Sequence, residues 1–136
     1  MAESQYGKYI KKQTAPSPPP EAKPVSLDGL KDWGGIQHRM FWKHVTQPIV
    51  MADQPHSHDC DEFLCFSASN PADSFDFGAE IELSMGKEGE KHLIDAATIV
   101  CVPKGTVHGP LNFTKVDKTV LFSVVYLAPE YVRKPA

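Results

Sequence analysis

The clearest pattern along the chain is a run of short stretches in which apolar and polar residues alternate. Ala79, Ile81, Leu83 and Met85 alternate with Glu80, Glu82 and Ser84, the period of two expected of a strand with one face buried. Ile36, Met40 and Trp42 against Gln37, Arg39 and Lys43 give the same reading and predict that Met40 and Trp42 face inward. Further strands are predicted at Ile49–Met51, His56–Phe66, His92–Ile94, Thr98–Val102, His108–Phe113 and Thr119–Tyr126. Turn formers punctuate them: Thr46-Gln47-Pro48, Asn70-Pro71, Asp76-Phe77-Gly78 and Gly86-Lys87-Glu88-Gly89. One brief helix is predicted near Leu27–Trp33. Many short strands with no helices between them predict an all-β antiparallel sandwich or barrel.

The first 25 residues read differently. Pro16, Pro18, Pro19, Pro20 and Pro24 lie among Ala, Ser, Glu and Lys, which favours an extended conformation. Residues 1–25 are therefore assigned to an arm and residues 26–136 to one domain, as a 136-residue chain allows.

Composition narrows the function. A net charge of −3, with both signs interspersed, argues against binding nucleic acid, which needs a basic excess. No apolar run reaches the ~18 residues of a membrane span. The start of the chain does not read as a secretory signal, so a cytoplasmic location is expected. Three cysteines, Cys60, Cys65 and Cys101, are too few for a disulfide framework and read as small buried hydrophobes.

The chemistry concentrates in His56-Ser57-His58-Asp59-Cys60-Asp61-Glu62. Positions of equal parity in a strand share a face, so His56, His58 and Glu62 can converge. Two imidazoles and a carboxylate suit Fe, Mn, Co, Ni, Cu or Zn better than Ca or Mg. A fourth donor, His108, follows the turn Pro103-Lys104-Gly105. Ordinary buried polar residues are the bland alternative, but four such groups in one interior are costly without a partner. His38, His44 and His92 read as structural or surface residues, Asp61 as exposed or a turn contact, and Asn112 as a brace for the turn.

Together these segments resemble the paired motifs of the cupin superfamily, H-x-H-x(3)-E and P-x-G-x(2)-H-x(3)-N, matched at every core position by His56, His58, Glu62 and by Pro103, Gly105, His108, Asn112. The resemblance implies a jelly-roll β-barrel over about residues 35–127. It also implies one divalent transition metal held by His56, His58, Glu62 and His108. Glycines that usually flank these motifs are Val50 and Ala97 here, and a third is delayed to Gly78, so residues 67–78 read as an insertion.

Two functions stay open at this point. One is a metal-dependent cupin enzyme acting on a small oxygenated or carboxylated molecule by dioxygenation, decarboxylation, isomerisation or lyase chemistry, with Glu62 as ligand or, if detached, as general base. The other is a non-catalytic cupin that binds a metal or small ligand. Leu64, Phe66, Phe113, Phe122 and Trp42 are candidate cavity residues, and Arg39, Lys43 and Tyr126 candidate carboxylate or oxyanion partners. A homodimer is expected from the exposed edges of a small sheet and from the habits of similar cupins.

Overall fold

A computed structural model describes residues 4–13 and 24–136. The strands are β1 (Val25–Asp28), β2 (Arg39–Val45), β3 (Ile49–Ala52), β4 (His56–Ser57), β5 (Glu62–Ala68), β6 (Ala79–Met85), β7 (Glu90–Ile94), β8 (Thr98–Val102), β9 (His108–Val116), β10 (Val120–Tyr126) and β11 (Lys134–Pro135). They form two antiparallel sheets. Sheet I runs in the order β1-β2-β10-β5-β8; sheet II runs β11-β4-β9-β6-β7, with β3 also paired to β9. The expected all-β architecture is present. No helix among the described residues is long and apolar enough to cross a membrane.

The inward faces of the sheets meet in an apolar core of Val45, Leu64, Phe66, Ile81, Leu83, Phe113, Val120 and Phe122. Phe66, Phe113 and Phe122 form its centre, with ring centroids 6.0, 5.2 and 5.7 Å apart pairwise. The alternation read in β6 holds over Ala79, Ile81 and Leu83, which are buried, and slips at the register shift before Met85, where Ser84 is buried and Met85 half-buried.

In β2 the expected parity is inverted. Val45 pairs with buried Val120, and Phe41 with buried Val124, so the odd-numbered residues face inward and Trp42 lies on the outer face. The outer face of sheet I also carries Phe63, Leu121, Val125 and Ile99. Strands apolar on both sides give no period that tells inside from outside. Cys101, expected to be buried, is exposed on that same face, while Cys60 and Cys65 are half-buried.

The short helix α1 (Gly29–Trp33) starts where Asp28 accepts hydrogen bonds from the amides of Leu30 and Lys31, an N-cap. It ends at Gly34 in the left-handed region, φ 66°. Gly29 has no room for a Cβ, which would lie 2.0 Å from the Ile36 carbonyl oxygen. Residues 4–13 run alongside: Trp33 Nε1 donates to the Lys8 carbonyl at 2.6 Å, and Lys11 pairs with Asp32. Of the stretch read as an arm, Pro16, Pro18, Pro19 and Pro20 lie outside the described residues, and Val25 already opens β1.

The loop read as an insertion, between β5 and β6, closes on itself. Asn70 accepts from the Ala72 amide and donates to Asp76, and Asp76 pairs with Lys118.

Candidate metal centre

The segment expected as one strand from His56 to Phe66 is broken. His56 is in β4 of sheet II, the chain bends through residues 58–61, and Glu62 opens β5 in sheet I. The motif therefore spans a corner between the sheets. His56 pairs directly with His108 of β9, which places two imidazoles side by side from neighbouring strands. Across sheet I, Glu62 pairs with Tyr126 of β10, and Tyr126 with Arg39 of β2.

The corner is held by the second motif's turn. Asp61 Oδ1 accepts from the Lys104 amide at 2.8 Å, and the Gly105 amide donates to the His58 carbonyl at 2.9 Å. Asp61 is thus an exposed turn contact, as expected. Asn112 lies on β9 opposite Val50 and Glu82, away from the turn it was expected to brace.

His56, His58, Glu62 and His108 are all buried and converge. Each histidine offers a nitrogen within 4.8 Å of those of the other two. Glu62 Oε1 lies 3.2 Å from His108 Nε2, and Oε2 lies 3.2 Å from His58 Nε2. The far side of each ring is tied to a backbone carbonyl: His56 Nδ1 to Gln54 at 3.1 Å, His58 Nδ1 to Val132 at 2.6 Å, His108 Nδ1 to Thr106 at 3.0 Å. A carbonyl only accepts, so each Nδ1 carries the proton and each neutral ring turns an Nε2 lone pair inward.

Lone pairs on three nitrogens and a carboxylate then face one another across a narrow gap. Glu62 Oε2 and His108 Nε2 have no hydrogen-bond partner among the described residues. Such a cluster requires a cation at its centre, a proton or a metal. The titration behaviour agrees. Burial lowers the pKa of His56 to about 4 and also lowers that of His58. For His108 burial works in the same direction, but the Glu62 carboxylate 3.2 Å from Nε2 and the hydrogen bond to the Thr106 carbonyl outweigh it and raise the pKa. Burial opposes ionisation of Glu62, yet His108 and Tyr126 outweigh it and hold the carboxyl low. Three nitrogens and one oxygen suit a first-row transition ion without selecting among them.

A cavity of about 250 Å³ adjoins this cluster. Leu64, Leu83, Phe122 and Val124 form apolar walls, and Arg39, Tyr131 and Arg133 also line it. Of the expected lining residues, Leu64 and Phe122 reach the cavity, whereas Phe66 and Phe113 belong to the core behind it. Tyr126 lies at the cluster, its hydroxyl 3.3 Å from His58 Nε2. Burial, then the charge of Glu62, raises its pKa well above the usual phenol value, so the O–H stays protonated. The other three histidines stand apart: His44 is on the outer face of β2, His38 precedes that strand, and exposed His92 pairs with Glu90 at 2.7 Å.

Sequence reasoning missed Tyr131, Val132 and Arg133. They belong to no motif, and a segment after the last regular strand gives no sign that it returns to the centre. The cue available was its content, two aromatic or β-branched residues followed by Arg133-Lys134, in a position where a solvated tail needs none of them.

No family model and no curated protein sequence matches this chain. Solved structures do. An oxalate oxidase in complex with the substrate analogue glycolate is similar at a TM-score of 0.57 and 12% identity, over 93% of this chain and 62% of that one; this chain spans less than two thirds of its length. An uncharacterized conserved protein with a double-stranded β-helix domain from Klebsiella pneumoniae gives 0.54 and 14%, over 98% and 90%. A cupin protein from Bacteroides fragilis gives 0.52 and 12%, over 90% and 86%. At such identities the likeness concerns architecture, and the architecture of this chain is the cupin jelly roll.

Proposed function

We propose that this protein is a metal-dependent enzyme of the cupin type, acting on a small oxygenated or carboxylated molecule. Its one divalent transition ion is held by His56, His58, Glu62 and His108. The observation that carries this reading is the convergence of four buried acceptors, three of them imidazoles whose tautomers are fixed by backbone carbonyls. The similar oxalate oxidase supports a small acid as the substrate class. A bound ion would supply Lewis acidity toward a carboxylate or enolate oxygen and, for a redox metal, a place for O2.

The chain supplies the rest. Tyr126 keeps its proton and presents it at the cluster, where it can hydrogen-bond an anionic oxygen. Glu62 serves as a ligand and, when detached, as a base for a proton on a neighbouring carbon or oxygen. Leu64, Leu83 and Phe122 give the cavity apolar walls, which lower the local dielectric and strengthen each of these polar interactions. Dioxygenation, decarboxylation, isomerisation and lyase chemistry are all compatible with these groups.

The test is metal analysis of protein purified without chelators, followed by oxygen-uptake and small-acid turnover assays before and after metal removal. The expected result is about one equivalent of transition metal per chain and turnover that disappears with it. Metal without turnover of any acid reassigns the protein as a metal- or ligand-binding module. Absence of metal from the isolated protein, with none taken up on addition, overturns the proposal.

A further inference from the structure

We infer that Arg39 and Arg133 form a carboxylate subsite in the cavity, so that the ligand is a small organic acid with its carboxylate on the two guanidinium groups and a second oxygen at the His/Glu cluster. The inference rests on the function proposed above and specifies its ligand.

Charge is the first ground. Among the residues lining the cavity, Arg39 and Arg133 are the cations and Glu62 is the only carboxylate, and Glu62 is turned toward His58 and His108. The acidic neighbour of Arg39 is Asp28, 3.8 Å from Nε, at the outer limit of an ion pair. Among the described residues no carboxylate comes within ion-pair distance of Arg133, whose Nε donates to the Tyr131 hydroxyl at 2.8 Å. Two guanidinium groups beside apolar walls, neither closely neutralised, favour an anion.

Position is the second. Arg39, Tyr126 and Glu62 occupy one row across β2, β10 and β5. Two strand spacings, roughly 10 Å between backbones, separate the arginine from the cluster, and both side chains reach into the space between. Tyr131 joins the two cations: its ring centroid is 5.2 Å from the Arg39 guanidinium carbon and 5.6 Å from that of Arg133. Arg39 also stacks on Phe41 and Tyr126, each at 5.9 Å. Stacking on aromatic faces leaves guanidinium N–H groups available as a fork for a carboxylate. Were the aromatic contacts the whole purpose of Arg39, an uncharged side chain would fill the place at lower desolvation cost.

Size and polarity set the rest of the ligand. About 250 Å³ is roughly eight water volumes at ~30 Å³ each, enough for a short acid. Phe41, Leu83 and Phe122 leave room for an apolar substituent rather than a second polar head. Among the described residues no helix N-terminus lines the cavity in the way many phosphate sites use, so the anion is assigned as a carboxylate.

The experiment titrates 2-hydroxybutyrate, its uncharged amide and inorganic phosphate into the full chain, both metal-loaded and chelator-treated, by calorimetry. Metal content is measured in parallel for the wild type, Arg133→Gln and Arg39→Gln. The expected result is a preference for the acid over the amide of about tenfold or more, reduced at least tenfold in each variant while metal content and folding are unchanged. Arg133 is exposed, so Arg133→Gln tests the subsite even if Arg39→Gln weakens the fold. Equal binding of acid and amide, no binding of the acid, a preference retained in Arg133→Gln, or tighter binding of phosphate than of the acid each overturns the inference. A wild type that takes up no metal counts against the proposed function alone; the acid-over-amide comparison on chelator-treated protein still decides the subsite.

Discussion

His58 Nδ1 donates to the carbonyl of Val132 at 2.6 Å, across 74 positions of sequence. The segment after β10 thereby sets the tautomer of a buried residue at the corner between the two sheets. Such outer partners typically hold ~10–100-fold of a site's metal affinity. A chain ending at Glu130 loses the Val132 carbonyl, β11 and its pairing with β4. It is expected to fold and to bind metal about 10–100-fold more weakly in a competitive chelator titration. Unchanged affinity would mean that the tail merely covers the site.

Removing a donor goes further. Glu62→Gln keeps the shape of the side chain and deletes its charge, leaving three neutral nitrogens. Loss of affinity beyond ~100-fold is expected, and His58→Ala should strip most of the metal. Metal analysis after dialysis reads both. Full occupancy in either variant would show that the ion is held elsewhere.

Gly109 tests the support of His56. Its φ is +98°, and a Cβ there would lie 2.9 Å from the Gln54 carbonyl oxygen, the acceptor for His56 Nδ1. Gly109→Ala is expected to destabilise the fold by about 1–3 kcal/mol and to weaken metal binding as Gln54 gives way. Urea denaturation with and without metal separates the two effects. A variant as stable as the wild type would show that the local backbone adjusts freely.

Acid should act through the same residues. The pKa of His56 is lowered to about 4 by burial, so the unfolded chain protonates first, near ~6.5. The metal-free fold therefore loses stability as pH falls from ~6.5 towards 4. His58 is shifted in the same direction. His108, whose pKa is raised, contributes with the opposite sign: its share is complete below ~6.5 and is lost as pH rises through the raised value. Metal needs all three rings neutral, and in the folded protein His108 protonates first, so the rise in melting temperature on adding metal should shrink as pH falls through the raised His108 value and again towards pH 4, where His56 protonates. Melting curves of stripped and loaded protein over this range, with His56→Gln as control, check it. A metal effect that persists in strong acid would exclude histidine ligation.

Which parts of this architecture are legible before folding follows from how local their causes are. Ala79–Leu83 reads correctly because one face is core and the other is solvent, until a register shift buries Ser84. Arg39–Val45 misleads because Met40 and Trp42 are as apolar as Phe41 and Val45, and only the pairing with Val120 and Val124 decides the facing. The donors His56, His58, Glu62 and His108 are visible as spacings. The reason offered by simple parity is incomplete, since the chain changes sheets between His58 and Glu62. Tyr131, Val132 and Arg133 act through position alone, fixed by β11 pairing with β4 at the far end of the chain. No short-range pattern encodes that return.

The corner between β4 and β5 has a mechanical consequence. His56 and His108 belong to sheet II and Glu62 to sheet I, so an ion held by all three would tie the two layers together at this corner. Parting the layers there would require such an ion to leave at least one of its ligands. Protection of Asp59–Asp61 from protease should then rise with the metal supplied to the protein.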